Sequence, residues 1–425
     1  MAKHDRRKRS SQPPDSRTAS IQVPLPVLSV LNGVREAFHG LCITTGLQVL
    51  QAMMEGDRDD LCGPKGRHQL ERPAWRGGSV ASQVTLGGRQ VAVPRLRVRS
   101  DDGEVALPTF QWAAATDPLD EHTLAAVAAG VSTRRYAGTL DPVPAEVTER
   151  GASSSAVSRR FVALSAKRLQ SFLSRPLGEL DLRVVCIDGK VFREHCMVVA
   201  LGIDTQGCKH VLGLREGATE TAAVASGLLS DLVTRGLPTD RTLLFVIDGA
   251  PGLRRAISDV FGSCGVVQRC QVHKLRNVIG HLPERLHASV GKALRDAWGL
   301  DSADRAARVL KRLAGSLERD HPGAASSIRE GLEETLTVKR LGLTGTLERT
   351  LRTTNIIENL MSSVENYTRR VKRWRGGGMI QRWVASALVE AEPRFRRVRG
   401  YRDLRYLVAA LDVLAPPDGA VADVA

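Results

Sequence analysis

The stretch RTLLFVIDGAPGL, residues 241–253, determines the predicted fold class. Its run of consecutive apolar residues is typical of a strand that is buried on both faces of a sheet. Three further β-type runs and one amphipathic helical pattern precede it: DLRVVCIDGKVF (181–192), CMVVALGIDTQG (196–207), CKHVLGLREG (208–217) and ATETAAVASGLLSDLVTRG (218–236). The order strand, hairpin, helix and buried strand predicts an α/β fold with a mixed sheet.

Composition and charge indicate the class of partner. The chain has 425 residues, 42% of them hydrophobic, which suffices for two or three domains with sizeable cores. Its net charge of +15 favours a polyanion, most commonly nucleic acid. No apolar run approaches the roughly 20 residues of a membrane span, and the basic start lacks the apolar stretch of a secretory signal. Seven cysteines without framework spacing indicate free thiols, so we expect a cytoplasmic, nucleoid-associated protein.

Changes of sequence character divide the chain into six predicted segments. A disordered basic arm comes first, followed by a mainly helical DNA-binding region and a β-rich segment. Then comes a polar helical segment without a clear strand, a basic helical segment, and a disordered tail. Their bounds are 1–20, 21–165, 166–265, 266–350, 351–412 and 413–425.

The DNA-binding region contains two patterns of interest. VASQVTLGGRQVAVPRLRVRS, residues 80–100, alternates around Gly-Gly and predicts a hairpin with Arg95, Arg97 and Arg99 on one face. Two helical pieces are predicted over residues 119–138 and 144–175, and the second contains GASSSAVSRRF, residues 151–161, a glycine turn followed by a serine-capped helix. Arg159 and Arg160 would then lie on a helix-turn-helix recognition helix. The alternative is an ordinary helical hairpin with a solvated basic face.

Two aspartates are predicted to lie at the ends of neighbouring strands. Asp188 and Asp248 each follow an apolar run and precede a glycine. In open α/β sheets, ligands and chemistry gather at the carboxyl ends of strands. Two carboxylates so close together resist joint ionisation unless a cation is bound. Either aspartate alone could equally be a turn residue, as the Asp-Thr-Gln-Gly setting of Asp204 indicates for that residue.

A third carboxylate is predicted from LRTTNIIENLMSSVE, residues 351–365. This segment has the apolar spacing of a buried helical stripe, and Thr354 or Asn355 is its expected N-cap. Glu358 is adjacent to the stripe, where a carboxylate needs a partner. We therefore expect Asp188, Asp248 and Glu358 to bind Mg²⁺, for which Mn²⁺ would substitute, and to promote in-line displacement at a phosphodiester. Glu365, on the same helix face, is the competing third ligand.

The sequence resembles the Mutator-type DNA transposases, including the related bacterial insertion-sequence group. The resemblance rests on FLSRPLGELDLRVVCIDGKVF, LGIDTQGCKHVLGLREGATET, LLFVIDGAPGL, VQRCQVHKLRNV and TTNIIENL, with a weaker contribution from GGRQVAVPRLRVRS. It covers most of residues 75–385. It implies an acidic triad of Asp188, Asp248 and Glu358 on an RNase H-like core, and it implies that the helical segment from about 266 to 350 is an insertion within that core.

Further residues are predicted to support the site. Cys270 and His273 form a Cys-x-x-His pair on one helical face, where His273 would contact DNA, bind zinc with Cys270, or only pack. Zinc would need more ligands, for which His281 and Cys264 are the candidates. Trp298 would stack on a base or, more commonly, anchor a core.

The basic run after the Glu358 helix is predicted to contact the DNA backbone. Its members would bind phosphate without specifying sequence, the alternative being a solvated helical face. Asn355, beside Glu358, is assigned to the same supporting group. The cations of the run are Arg369, Arg370, Lys372, Arg373 and Arg375.

These observations predict a DNA transposase. It would bind the terminal inverted repeats of its own element, cut there, and join the freed 3′-hydroxyl to target double-stranded DNA. At least a homodimer is expected in the DNA complex, because two ends must be held together. The alternatives are an RNase H-like nuclease that does not join strands, and a catalytically silent, domesticated DNA-binding protein.

Overall fold

The computed structural model describes residues 34–66, 73–86, 89–115, 123–127, 130–140, 148–217 and 221–414. The predicted basic arm and residues 415–425 of the predicted tail lie outside these ranges. The predicted start of that tail is wrong, since Val413 is the last residue of a helix that begins at Leu404. None of the helices in the described ranges combines the length and the apolar composition that crossing a bilayer requires.

The chain divides into two compact units, Met1–Phe161 and Val162–Ala425. One helix, α3 (Ser154–Leu173), begins in the first unit and ends in the second. The first unit contains a four-stranded sheet in which β2 pairs with β1, β3 and β4, all antiparallel. In chain order its elements, with α3, are α1 (Val34–Cys62), β1 (Trp75–Leu86), β2 (Arg89–Ser100), β3 (Gly103–Val105), α2 (Pro108–Ala115), β4 (Glu149–Arg150) and α3 (Ser154–Leu173).

The predicted hairpin is confirmed by the pairing of β1 with β2. Leu96 and Val98 are buried in the core of the unit, while Arg95 and Arg97 both bind Glu104, at 2.9 and 2.6 Å. This confirms, for Arg95 and Arg97, the prediction that the arginines of β2 lie on one face of the hairpin.

The predicted helix-turn-helix is wrong in its first half. The residues just before the glycine turn, Glu149–Arg150, form a strand that pairs with β2. The second half is confirmed, because Ser153 Oγ accepts a hydrogen bond from the N–H of Ala156 at the start of α3. A two-residue strand is determined by its sheet partner, and nothing in its own sequence indicates that partner.

The second unit is built on a five-stranded mixed sheet of order β7-β6-β5-β8-β9. Strand β6 pairs antiparallel with β5 and with β7, while β8 pairs in parallel with β5 and with β9. The predicted α/β class, strands and helix are thereby confirmed. The elements are β5 (Leu182–Phe192), β6 (His195–Asp204), β7 (Lys209–Gly217), α4 (Ala222–Thr234), β8 (Leu243–Ile247), α5 (Pro251–Phe261) and β9 (Gly265–Arg269).

Strand β9 contradicts the prediction that no strand follows residue 265. It pairs in parallel with β8 from Leu243↔Gly265 to Ile247↔Arg269. The strand has only five residues, two of them β-branched, and so short a run shows no apolar alternation by which a strand could be predicted. The polar helical segment therefore starts after Arg269, not at residue 266.

Helices form the rest of the unit. After β9 come α6 (Gln271–Gly280), α7 (Glu284–Trp298), α8 (Ala303–Leu317), α9 (Pro322–Arg329), α10 (Thr337–Arg340), α11 (Gly345–Leu351), α12 (Asn355–Thr368), α13 (Gly377–Ala391) and α14 (Leu404–Val413). Helices α6 to α9 share a hydrophobic cluster of their own.

The sheet of the second unit is covered on both faces. Alternate residues of β5 and β8 point to opposite sides, so Cys186 and Val246 contact one cluster while Ile187 and Ile247 contact the other. Side chains of α12, α13 and α14 complete the first cluster, and side chains of α4 and α5 complete the second. Helix α12 therefore lies on the face toward which Asp188, two residues after Cys186, is directed.

Candidate functional site

Asp188 and Asp248 lie next to each other on the neighbouring strands β5 and β8. The parallel pairing of these strands ends at Ile187↔Ile247, and each aspartate is the next residue. The prediction that Asp188 ends its strand is wrong, because β5 continues to Phe192 through its antiparallel pairing with β6. Asp188 instead marks the point where β5 loses its parallel neighbour.

The surroundings of Asp188 oppose its ionisation. Burial, followed by the negative charge of Asp248, raises the pKa of Asp188 to about 6. Glu358 acts in the same direction, while His273 lowers the pKa of Asp188. The charges of Asp248, Glu358 and His273 thus all act on the Asp188 carboxylate, which is partly buried and not a fully solvated turn residue.

Asp248 also stabilises the turn that follows β8. Its Oδ1 accepts a hydrogen bond of 2.8 Å from the N–H of Ala250, so the turn alternative describes part of its role. Gly249 has φ +103°, and a Cβ there would collide with the guanidinium of Arg269. A glycine is therefore required for the chain to turn away immediately after the aspartate.

Glu358 lies in the first turn of α12, as predicted. Ile357, Leu360 and Val364 of this helix are buried in the sheet's core, which confirms the apolar stripe. The side chain of Glu358 is 31% exposed, so it lies at the margin of the core. Thr354 is the N-cap residue by position, but its side chain does not cap the helix.

The Thr354 hydroxyl is instead part of the site. Its Oγ1 donates to Glu358 Oε1 at 2.8 Å and lies 3.3 Å from His273 Nδ1. The backbone N–H of Thr354 donates to Cys270 Sγ at 3.4 Å. Sequence reasoning considered this buried threonine only as a cap. Its spacing of four residues from Glu358, about one helical turn, was the one sequence feature that indicated a contact with this carboxylate.

Cys270 and His273 approach each other at the start of α6, as their spacing predicted. Burial alone would raise the pKa of the Cys270 thiol, but hydrogen bonds from His273 and Thr354 outweigh it and lower that pKa. The bond to Cys270, with the nearby charge of Glu358, raises the pKa of His273. His273 Nε2 lies 3.8 Å from Glu358 Oε1, so the imidazole belongs to the same group of side chains as the carboxylates.

Two sets of potential metal ligands share Glu358. Asp188, Asp248 and Glu358 offer carboxylate oxygens, the donors that Mg²⁺ prefers. Cys270, His273 and Glu358 offer one atom each within 4.8 Å of one another, a sulfur, nitrogen and oxygen set closer to the preferences of zinc. Among the described residues this is the one such group, so the predicted ligands Asp188, Asp248 and Glu358 do not all offer an oxygen within that distance of one another, and neither Cys264 nor His281 joins the group.

The competing ligand Glu365 has a different partner. Lys190 Nζ lies 2.6 Å from its Oε1, so an ion pair accounts for this carboxylate. Asp204 is likewise a turn residue, since its Oδ1 accepts from the N–H groups of Gln206 and Cys208 at 2.9 and 2.8 Å.

Trp298 is a core residue of the α6–α9 cluster. Its side chain is 4% exposed, and its Nε1 donates to Thr335 Oγ1 at 3.2 Å. The base-stacking hypothesis is therefore corrected in favour of the core anchor, because a buried indole presents no face to a nucleic acid base.

The predicted DNA-contacting cations are mostly exposed. All five cations of the run that follows α12 are exposed, and residues 371–376 are not helical, which removes the alternative of a solvated helical face. Arg159 is exposed on α3, whereas Arg160 is half-buried with its guanidinium beside Gly151. Asn355 is exposed at the start of α12 and lines a cleft.

Comparison with known proteins gives a consistent answer over most of the chain. The family model described as Transposase, Mutator family, matches residues 33–397. The transposase for insertion sequence element ISRM5 of Rhizobium meliloti is 26% identical over 398 residues, 91% of this chain and 94% of the relative. The transposase for insertion sequence element IS406 of Burkholderia multivorans is 29% identical over 281 residues, 64% of this chain and 70% of the relative. The transposase for IS256 in transposon Tn4001 of Staphylococcus aureus is 23% identical over 361 residues, 80% and 87% of the two chains.

Proposed function

The chain belongs to the Mutator family of transposases, and we propose that it cuts the ends of an insertion sequence and joins them to new DNA at Asp188, Asp248 and Glu358. One observation supports this assignment above all others. Two carboxylates follow the paired ends of adjacent parallel strands, and a helix packed on the same face of the sheet supplies the third.

The residues present fit a divalent cation. Asp188, Asp248 and Glu358 would hold Mg²⁺, because their crowded charges raise the pKa of Asp188 and a cation relieves that conflict. When bound, the metal would supply activation of the attacking oxygen and stabilisation of the leaving oxygen. The carboxylates are ligands, so the nucleophiles are water and then the DNA 3′-hydroxyl.

The neighbouring side chains orient the site. Thr354 fixes one oxygen of Glu358 through the 2.8 Å hydrogen bond, leaving the other oxygen for a ligand. His273, whose Nε2 lies 3.8 Å from Glu358 Oε1, would donate a hydrogen bond to a phosphate oxygen of the scissile strand. Cys270, buried behind both, would position His273 rather than contact DNA.

We propose the remaining assignments on the same basis. The five-stranded mixed sheet with helices on both faces would be an RNase H-like core, and helices α6 to α11 would be an insertion between β9 and α12. The first unit would bind the terminal inverted repeats, with Arg159 on its exposed surface. The cations of residues 369–375 would hold DNA backbone, and two copies of the chain would bring both ends together.

The test is a cleavage and joining assay with labelled DNA that carries the element's end. The protein is incubated with Mg²⁺, with Mn²⁺ and with EDTA, beside Glu358→Gln and the matched control Glu365→Gln on the same helix. We expect Glu358→Gln to bind the end but to lose cutting and joining, while Glu365→Gln retains both.

The outcomes separate the alternatives. Equal cutting by both variants would show that Glu358 is not a ligand. Cutting without joined products would favour the nuclease, and end binding by the unaltered protein without any cutting would favour the silent DNA-binding protein.

A further inference from the structure

A strongly basic cleft borders the first turn of α12. The cleft has a volume of about 690 Å³ and is formed by the start of β7, the region from α11 to α12, and residues 396–399. No carboxylate occurs among the described residues that line it. Its cations are Lys209, Arg349, Arg396, Arg397 and Arg399.

These cations are not neutralised by neighbouring acids. In the described ranges, no ion pair joins any of the five to a carboxylate, although such pairs are numerous elsewhere in the unit. Lys209 lies over the ring of Phe395 and Arg397 over that of Tyr401, each about 5.1 Å from the ring centre. An aromatic ring orients a cation without cancelling its charge. The cleft therefore has a concentrated positive potential that an anion would relieve.

The wall containing Arg396–Arg399 is held in place by its backbone. The N–H of Val398 donates to the carbonyl of Gly207 at 2.9 Å, and Thr350 Oγ1 donates to the carbonyl of Arg399 at 3.2 Å. Gly400 has φ +80°, and a Cβ there would lie 2.6 Å from the backbone nitrogen of Leu347. The three arginines thus project from a fixed chain, which reduces the ordering cost of binding an extended anion.

We propose that this cleft binds the phosphate backbone of the target DNA duplex. The proposal rests on the proposed function, because it assigns a second DNA to the same active site. Contacts from cations and amides to phosphate contain no sequence information, which suits a DNA whose sequence the enzyme does not need to recognise. The element's own ends are instead assigned to the first unit.

The position of the cleft agrees with this assignment. Helix α12 has 14 residues and is therefore about 21 Å long. The cleft lies at its start, where Asn355, Ile356 and Asn359 line it, close in sequence to Glu358, and the basic run 369–375 follows the last residue of the helix. Strand transfer brings two DNA molecules to one active site, and this helix has a basic surface at each end.

The test separates joining from cutting. The double variant Arg396→Gln/Arg399→Gln is assayed with pre-cut element ends, with uncut ends, and with a plasmid as target. We expect joining of pre-cut ends and plasmid binding to fall about tenfold or more, with end binding and end cutting within about twofold of the unaltered protein. The slope of log affinity for the plasmid against log salt concentration should become shallower by roughly two, since each phosphate contact contributes about 0.9 to that slope.

Two control variants match the double variant. Arg308→Gln/Arg312→Gln removes the same charge from an exposed face of α8 and should leave joining unchanged. Arg396→Lys/Arg399→Lys should retain most joining, because lysine also binds phosphate.

Joining by the glutamine variant at the level of the α8 control would overturn the proposal. A parallel loss of end binding or end cutting would also overturn it, because the cleft would then hold the element's own DNA. If the unaltered protein neither cuts nor joins, the proposed function fails by itself. In that case plasmid binding alone tests the proposal for the cleft. Weaker plasmid binding by the double variant supports the proposal, and binding equal to that of the unaltered protein rejects it.

Discussion

Replacing Asp188 by Asn should stabilise the metal-free protein while abolishing its proposed catalysis. Burial and the charge of Asp248 raise the pKa of Asp188 from 3.8 to about 6. Because a tenfold change in an equilibrium constant corresponds to about 1.4 kcal/mol, the ionised carboxylate lowers the free energy of unfolding by at most about 3 kcal/mol. Asp188 is partly exposed, so solvent screening reduces this effect, and we expect a gain of about 1–3 kcal/mol at pH 8.

The sign of this effect depends on pH. The folded state holds the Asp188 proton more tightly than the unfolded state does. Stability therefore falls as the pH rises between the two pKa values, and the loss is complete above the folded pKa of about 6. The gain from Asp188→Asn should be near zero at about pH 4 and largest at pH 7 and above.

Urea unfolding in EDTA at pH 4 and pH 8 measures the difference directly. Added Mg²⁺ should stabilise the unaltered protein and narrow the difference from the variant, since the proposed ligands would hold the cation only in the folded state. Asp204→Asn, which alters a hydrogen-bonded turn carboxylate, should not stabilise the protein at either pH. An Asp188→Asn variant that is no more stable than the original at pH 8, or equally shifted at both pH values, would refute the electrostatic reasoning.

Three further predictions concern single side chains. Thr354→Val should reduce cutting roughly 10–100-fold with end binding unchanged, because Glu358 loses its 2.8 Å hydrogen bond, whereas Thr354→Ser should remain active in the same assay. Gly249→Ala should destabilise the protein by about 2–4 kcal/mol in urea unfolding, since it combines an unfavourable φ with a collision against Arg269; a change under 1 kcal/mol would contradict this. Trp298→Ala should cost about 3–5 kcal/mol in the same measurement, with affinity for DNA unchanged in the fraction that remains folded.

Sequence patterns predicted the elements that bury long apolar runs. The hairpin β1–β2, the strands β5 to β8 and the stripe on α12 each have a periodicity that identifies the buried face. The elements that sequence reasoning missed are short and depend on their partners. Strand β9 has five residues and β4 only two, and both are extended because a neighbouring strand supplies the hydrogen bonds.

The candidate site was predictable only in part, for a related reason. The sequence allowed us to predict that three carboxylates lie near one another, because each is adjacent to an apolar run that is expected to be buried against the sheet. These are Asp188, Asp248 and Glu358. Thr354 and the basic cleft depend on contacts between distant segments. Residues 209, 349 and 396–399 meet only after the sheet and its helices have packed.

The carboxylates of the second unit differ in how their charges are compensated. Glu365 pairs with Lys190, and Asp204 accepts two backbone hydrogen bonds. Within the described ranges, by contrast, ion pairing at the three candidate ligands is confined to His273 at Glu358, 3.8 Å away. Asp248 and Glu358 do accept hydrogen bonds, from Ala250 and Thr354, but within the described ranges no lysine or arginine pairs with any of the three. The raised pKa of Asp188 indicates that their crowded charges oppose its ionisation and so lower the stability of the ionised form. A cation bound at these carboxylates, as proposed, would relieve the crowding, so the same charges that lower the stability of the metal-free chain would provide its affinity for Mg²⁺.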